Sequence, residues 1–353
     1  MSIWQNYPPE YRQTEAAEIC AAVDAGESAA VIGLSGSGKS NLLGFLANCI
    51  TRPPRFIWVD CNRLLEKSPA ALFRLIRQSM GDSTPVSEED HALETAVASR
   101  LQQHPILALL LDRFDALGAA PNDAVTNSLR ALRDRFKYQL CYVIATRRPL
   151  DARSELAELF FAHTCWLGPL SAADAHWSAA SYAARRGVTW DESVIQRLVA
   201  LSGGYPSFLR AACEAHAAGC PLESAALQAH PAVRRRLDEF WSDAPSPADL
   251  QRSQLAEHPW LQQTTPPLQN TSQLTALEMR LLQYFQMHPN QICEKDALIQ
   301  SVWPEDRIYT EGIRDDSLAQ LIRRLRQKIE PDPARPQYIH TLPGRGYRFT
   351  PPE

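Results

Sequence analysis

Gly33 to Ser40, reading GLSGSGKS, constrain this chain more than any other stretch. They satisfy G-x-x-x-x-G-K-[ST] at every fixed position; a short apolar run, Ala29 to Ile32, precedes them and a helix-forming, apolar-periodic segment starts at Asn41. Strand, loop and helix therefore follow in that order. Gly33, Gly36 and Gly38 let the backbone wrap a polyphosphate closely enough for its N–H groups to point inward, where a side chain would block the approach. Leu34, Ser35 and Ser37 fill out the same cradle. The N-terminus of the following helix adds positive partial charge, Lys39 is placed to neutralise β- and γ-phosphates, and the Ser40 hydroxyl is placed to ligand Mg²⁺. A flexible Gly/Ser turn that matches by chance is the competing reading, and the flanking strand and helix count against it.

At 353 residues the chain is too long for one ordinary core. Its 45% hydrophobic and 22% charged residues are those of a soluble globular protein. The formal net charge of -4 excludes general basic character, so any nucleic-acid contact has to come from a local patch. The 8 Cys are scattered without a C-x-x-C pair, which reads as buried thiols in a reducing compartment. The N-terminal stretch has neither the basic start nor the apolar core of a signal peptide, and the longest apolar run, Ile106 to Leu111, is far too short for a bilayer. A cytoplasmic protein without a membrane partner is the expectation. Tyr11 and Arg12 stand ahead of the first helix, where many P-loop ATPases have a segment lying against the adenine; the weightier reading is that they are exposed residues that need no functional explanation.

A second signal is ILALLLDRFDAL, Ile106 to Leu117. Six apolar residues form a strand buried on both faces, with Asp112 at its C-terminal end. In an open parallel sheet the ligand lies beyond the carboxyl ends of the strands, so this carboxylate is expected to reach the Mg²⁺ held by Ser40. A further strand, Leu140 to Ala145, ends in Thr146-Arg147-Arg148-Pro149, where a hydroxyl and a guanidinium are well placed to sense a γ-phosphate. A core strand capped by an ordinary polar turn, and a solvated basic turn, are the plainer readings of these two stretches.

Together the loop, the Asp112 strand with a second acid three residues on, and T-R-R-P resemble the STAND branch of the AAA+ superfamily, whose sensor motif reads T-x-R or T-S-R-P. The resemblance implies an α/β P-loop NTPase fold, a parallel sheet with flanking helices, over residues 1–165, with ATP and Mg²⁺ as cofactors. It implies Thr146 and one arginine as sensors: alignment on Pro149 selects Arg148, alignment on the strand end selects Arg147. AAA+ ATPases usually place Glu directly after the metal-binding Asp to activate water. Arg113 stands there instead, leaving Asp115 or no residue as base, and slow hydrolysis is expected. Cys165 to Ser171 resembles the entry to the small helical domain of these ATPases, so 166–241 is expected to be an α-helical lid. Ser202 to Pro206, SGGYP, resembles their GxP motif, which would set Pro206 near the adenine; routine helix capping by Gly-Gly and Pro is the plainer reading. The Pro, Ser, Gln and Thr of 242–273 read as a linker.

In the remaining residues, 274–353, Thr275 and Glu278 form a capping box ahead of a helix with Leu277, Leu281, Leu282 and Phe285 inward. A second helix from Lys295 stops at Pro304. A third puts Leu318, Ile322, Leu325 and Ile329 on one face and Gln320, Arg323, Arg324 and Gln327 on the other. An apolar back and an Arg/Gln front suit a helix laid in a major groove, where Arg reads guanine and Gln reads adenine. A hairpin follows with Pro343-Gly344-Arg345-Gly346 at its tip, and Arg345 is placed for a minor groove. From Leu321 to Phe349 seven cations stand against Glu330 and Asp332. The segment from LTALEMRLLQYF to PGRGYRF resembles the OmpR/PhoB-type winged helix-turn-helix effector domain, which implies double-stranded DNA as partner.

The whole is expected to be an ATP-switched, DNA-binding transcription regulator with slow ATPase activity, self-association on ATP binding, and a signalling protein as a further partner. Two alternatives stand beside it: a DNA-binding ATPase of mobile-element, replication-initiation or defence systems, and a STAND-like scaffold whose winged helix binds protein.

Overall fold

The computed structural model describes residues 3–50, 55–117, 123–150, 155–243, 245–262, 274–303, 315–330, 332–333, 335–342 and 344–350. They fall into two compact units, one ending at Trp260 and one beginning at Leu261.

In the first unit β1 (Ala29–Ile32), β2 (Arg55–Asp60), β3 (Leu107–Asp112), β4 (Leu140–Thr146) and β5 (Thr164–Trp166) make a five-stranded sheet in the order β2-β3-β4-β1-β5. All four pairings are parallel. Every residue of β1, β3 and β4 is buried, the pattern required of strands covered by helices on both faces. The covering helices are α1 (Gln13–Asp24), α2 (Lys39–Cys49), α3 (Pro69–Ser79), α4 (Glu89–Leu101) and α5 (Asp123–Arg135). Leu107, Leu109 and Leu111 pack with Leu72, Ile76, Tyr142 and Ile144 in the core. The one polar tip among these, the Tyr142 hydroxyl, donates to Leu129 O at 2.8 Å, so its burial leaves no unmet donor.

Register sets the functional edge. Ile32 pairs with Thr146 and Asp60 with Asp112, while Leu111 pairs with Ile144. The C-terminal ends of β1, β3 and β4 are thus level, and the loop after β1 shares an edge with Asp112 and Thr146. Chain order reverses at β1, the switch point at which open α/β sheets bind ligands.

A helical lid follows: α6 (Ala172–Arg186), α7 (Glu192–Ser202), α8 (Pro206–Ala217), α9 (Ser224–Ala229) and α10 (Pro231–Ser242). Ser171 and Asp191 cap α6 and α7, and Gly187 and Gly203 end them in the left-handed region.

The linker reading of 242–273 needs correcting for its described part. Ser246 and Asp249 form a capping box that starts α11 (Pro247–Arg252), and Pro259 opens α12 (Pro259–Gln262). Trp260 is wholly buried, and buried His258 donates its Nε2 hydrogen to Ser202 O at 2.9 Å. The Ser and Pro of this stretch begin helices, and Trp260 is fixed to the lid by its Nε1, which donates to Ser224 Oγ at 3.2 Å. Residues 263–273 lie outside the described residues, as do Pro304 and Pro343.

The second unit contains α13 (Ala276–Met287), β6 (Ile292–Cys293), α14 (Lys295–Val302), α15 (Asp315–Ile329), β7 (Ile339–Leu342) and β8 (Gly346–Phe349). Its three strands are antiparallel in the order β6-β8-β7. The Thr275–Glu278 capping box forms, and Leu281, Phe285, Leu298, Leu318, Ile322, Leu325, Ile329 and Phe349 make the core. Among the described residues no helix is long and apolar enough to cross a membrane.

Candidate functional site

The loop of the first unit takes the backbone its glycines allow: Gly36 has φ 82 and Gly38 has φ 90. Gly33 faces the Ser37 side chain so closely that a Cβ would clash with it. Lys39 donates its Nζ to Gly33 O at 2.5 Å and Leu34 O at 3.3 Å. Burial pushes its ammonium down to about 8, against the pull of Asp115 and Asp243.

Ser40 Oγ donates to Asp112 Oδ1 at 3.0 Å. Burial raises the Asp112 carboxyl above its usual range, and the Ser40 hydrogen bond opposes that shift. Asp112 Oδ2 and Thr146 Oγ1 are buried without a hydrogen-bond partner, a costly arrangement that a bound ion or ligand would relieve. A hydroxyl and a carboxylate with a spare oxygen are the hard donors Mg²⁺ prefers, so these residues fit that ion.

The other expected site residues meet differently. Asp115 Oδ2 accepts the backbone N–H of Arg147 at 2.9 Å and pairs with its Nε at 3.6 Å. Arg113, in the place where a Glu would activate water, stands in the left-handed region at φ 55. Arg147 Nη1 donates to Asp243 Oδ1 at 2.9 Å, and Arg148 Nη2 donates to Asp243 O at 2.5 Å. Both sensor candidates therefore converge on one residue at the end of α10. The Asp243 carboxylate reaches the loop as well, where Oδ2 accepts the Ser35 N–H at 2.6 Å.

The SGGYP turn sits directly on the loop. Tyr205 Oη donates to Ser35 O at 2.8 Å, Ser207 N donates to Gly36 O at 3.1 Å, and Pro206 Cγ lies 3.5 Å from where a Cβ on Gly38 would stand. Tyr11 and Arg12, read as exposed, are each only 2% exposed, which corrects that reading. Arg12 Nη2 donates to Ser37 O at 2.9 Å and Gly168 O at 3.0 Å, its Nη1 pairs with Glu15, and its backbone N–H meets Asp174 Oδ2. Arg12, Tyr205, Ser207 and Asp243 are thus site residues that sequence reasoning missed. For Tyr205 and Ser207 the neighbouring Gly-Gly and Pro were a signal, and for Arg12 its place ahead of the first helix was a weak one; for Asp243 there was none.

In the second unit Gln320, Arg323, Arg324 and Gln327 are all exposed on α15, opposite buried Leu318, Leu321, Ile322, Leu325 and Ile329. Arg345 is exposed between β7 and β8. Two other cations of α15 have structural duties. Arg326 Nε and Nη2 hold Ile339 O at 3.0 and 2.6 Å, and Lys328 Nζ meets buried Glu278 at 2.7 Å. Glu330 accepts backbone N–H groups of Gln337, Tyr338 and Ile339.

The first unit is an α/β P-loop NTPase with a helical lid, because the phosphate loop follows the first strand of a parallel sheet and a buried neighbouring strand sets its carboxylate on the loop's serine. The second is a winged helix-turn-helix, with α15 exposed on one face and a β-hairpin behind it. The chain belongs to the family described as Novel STAND NTPase 1, whose model matches residues 11–237, more than half its length. Residues 269–349 match the family described as Transcriptional regulatory protein, C terminal. The transcriptional regulatory protein YvrH of Bacillus subtilis is 44% identical over 73 residues, 21% of this chain and 29% of the relative. The uncharacterized transcriptional regulatory protein YcbL of the same organism is 42% identical over 77 residues, 22% of this chain and 32% of that one. The chain thus spans about a third or less of the length of these curated relatives. Among solved structures, the Walker-type ATPase of Pyrococcus abyssi aligns with a TM-score of 0.47 at 14% identity, covering 96% of this chain and 93% of that chain.

Proposed function

We propose that the chain is a transcription regulator whose DNA binding is switched by ATP. The observation that carries this reading is the double hold of the lid on one loop residue: Ser35 O accepts from Tyr205 while Ser35 N–H donates to Asp243. A polyphosphate entering the loop has to be accommodated by the same backbone, so its binding and the lid's position form one equilibrium.

In this reading Gly33 to Ser40 cradle the phosphates, Ser40 and Asp112 hold Mg²⁺, and Thr146 with Arg147 or Arg148 faces the terminal phosphate. Bound Mg²⁺ would supply charge neutralisation of the phosphate oxygens. Asp115 is committed to the Arg147 backbone, and the neighbouring position carries Arg113, so no carboxylate is free in the usual place to activate water. Slow turnover follows, as suits a switch. Gln320, Arg323, Arg324, Gln327 and Arg345 would meet double-stranded DNA, with Arg and Gln at the base edges. The similarity of the second unit to transcriptional regulatory proteins supports this output.

The test is ATP affinity and operator affinity measured on the wild type and on Lys39→Ala at fixed salt. Loss of ATP binding in the variant, with operator affinity that responds to ATP and Mg²⁺ in the wild type alone, is the expected result. Unchanged ATP affinity in Lys39→Ala removes the nucleotide half of the reading. Equal operator affinity with and without ATP removes the switch.

A further inference from the structure

The Asp243 side chain is only 2% exposed, and a carboxylate is not taken out of water without partners. Its partners are of one kind: the Ser35 N–H of the phosphate loop at 2.6 Å on one oxygen and the Arg147 guanidinium at 2.9 Å on the other. The buried Lys39 ammonium feels its charge. An anion bound between a loop N–H and a strand-end arginine stands where a nucleotide's outermost phosphate would be recognised. We propose that Asp243 discriminates nucleoside triphosphates from diphosphates: its carboxylate holds the donors that a terminal phosphate needs, a diphosphate leaves it in place, and a triphosphate displaces it. The inference rests on the nucleotide reading above.

Displacement has a defined mechanical route. Asp243 is the residue that caps α10, and Phe240 one turn earlier packs edge-on against Tyr205 at 5.8 Å and against Phe208 at 5.5 Å. Tyr205 in turn holds Ser35 O. Release of Asp243 therefore loosens the same helix pair that holds the Ser35 carbonyl, and the hydrogen bond from Arg148 to Asp243 O is broken in the same movement. The two arginines that sequence alone cannot separate act here as one clamp on a single residue.

Binding of Mg-ADP and of a non-hydrolysable Mg-ATP analogue, each measured on the wild type and on Asp243→Asn, tests the idea. Removing the competing charge while keeping the side chain's shape should tighten the ATP analogue about tenfold or more, the range of a charge-assisted hydrogen bond, and leave ADP within about twofold. An unchanged ratio of the two affinities overturns the proposal. A second measurement needs no variant: amide hydrogen exchange at the end of α10, Phe240 to Asp243, should be faster in the wild type with the ATP analogue than with ADP. Equal exchange in the two complexes also overturns it. If the wild type binds neither nucleotide, the nucleotide reading fails and this inference with it; if it binds both through Lys39 and discriminates independently of Asp243, only this inference fails.

Discussion

Arg12 offers the sharpest test of how the loop is supported. Replacing it with Ala removes a guanidinium that is 1% exposed and takes its donor from two carbonyl oxygens, Ser37 O and Gly168 O, for which no other donor stands among the hydrogen bonds described above. Each stranded buried acceptor costs about 1–3 kcal/mol. Glu15, whose side chain is 23% exposed, can rehydrate, so loss of that pair adds about 1 kcal/mol at most. The backbone N–H bond to Asp174 is untouched. The expected loss is about 2–7 kcal/mol, a large part of the roughly 5–15 kcal/mol that holds a domain folded. Arg12 also stands at φ 46, so a second substitution checks the backbone part of the reasoning. Gly relieves a left-handed strain of about 1–2 kcal/mol that Ala retains, so Arg12→Gly should be the less damaging variant, the reverse of the order at an ordinary position. Urea unfolding followed by tryptophan fluorescence reads this directly, because Trp4 and Trp177 flank Tyr7 beside Tyr11. An Arg12→Ala chain within about 1 kcal/mol of the wild type, or a glycine variant weaker than the alanine one, would refute the account.

Three further outcomes follow from the two units. Because burial holds Lys39 at about 8, below its ordinary 10.5, the folded protein gives up that proton first; the charge needed for phosphate is complete below pH 8 and lost above it, so ATP affinity should fall by up to tenfold per pH unit above that point. The cost of burying the ammonium is correspondingly full below pH 8 and relieved toward 10.5. Titration calorimetry from pH 6.5 to 9.5 should show this slope in the wild type and a flatter profile in Lys39→Arg if that variant binds; a flat wild-type profile counts against it. Glu330→Ala leaves three buried or partly buried N–H groups without their acceptor and should lower the stability of the second unit by about 2–4 kcal/mol, seen as an earlier melting transition. Arg323→Ala and Arg324→Ala should each cost about 1–3 kcal/mol in specific DNA binding with unchanged melting, whereas Arg326→Ala should lower the melting temperature first, because it frees Ile339 O and the wing.

What the sequence showed and what it hid divide along physical lines. The loop, the buried Asp112 strand and the amphipathic α15 were legible because their chemistry is local: fixed spacing, an uninterrupted apolar run, a helical period. The Ser35–Asp243 and Arg12–Gly168 bonds join residues 208 and 156 positions apart, and no local pattern announces such a pairing. The stretch 242–262 was misread for a different reason. Ser-Pro and His-Pro pairs, which resemble linker composition, serve here as helix starts, and the burial of Trp260 depends on the lid surface it meets. Arg147 and Arg148 could not be ranked from sequence because both reach one distant aspartate, Arg147 its carboxylate and Arg148 its backbone carbonyl.

On α15 the residues proposed to read DNA and the fastening residues do not overlap. Arg326, Lys328 and the adjoining Glu330 fix how far the helix is rotated and where the hairpin lies, while Gln320, Arg323, Arg324 and Gln327 make none of those bonds and face outward. Such a helix works like a typeface in a locked frame: the characters can be exchanged without resetting the frame. On the proposed reading, a lineage of copies acquires new operators by changing four exposed positions while keeping the input unit, and a designer redirects the protein along the same route.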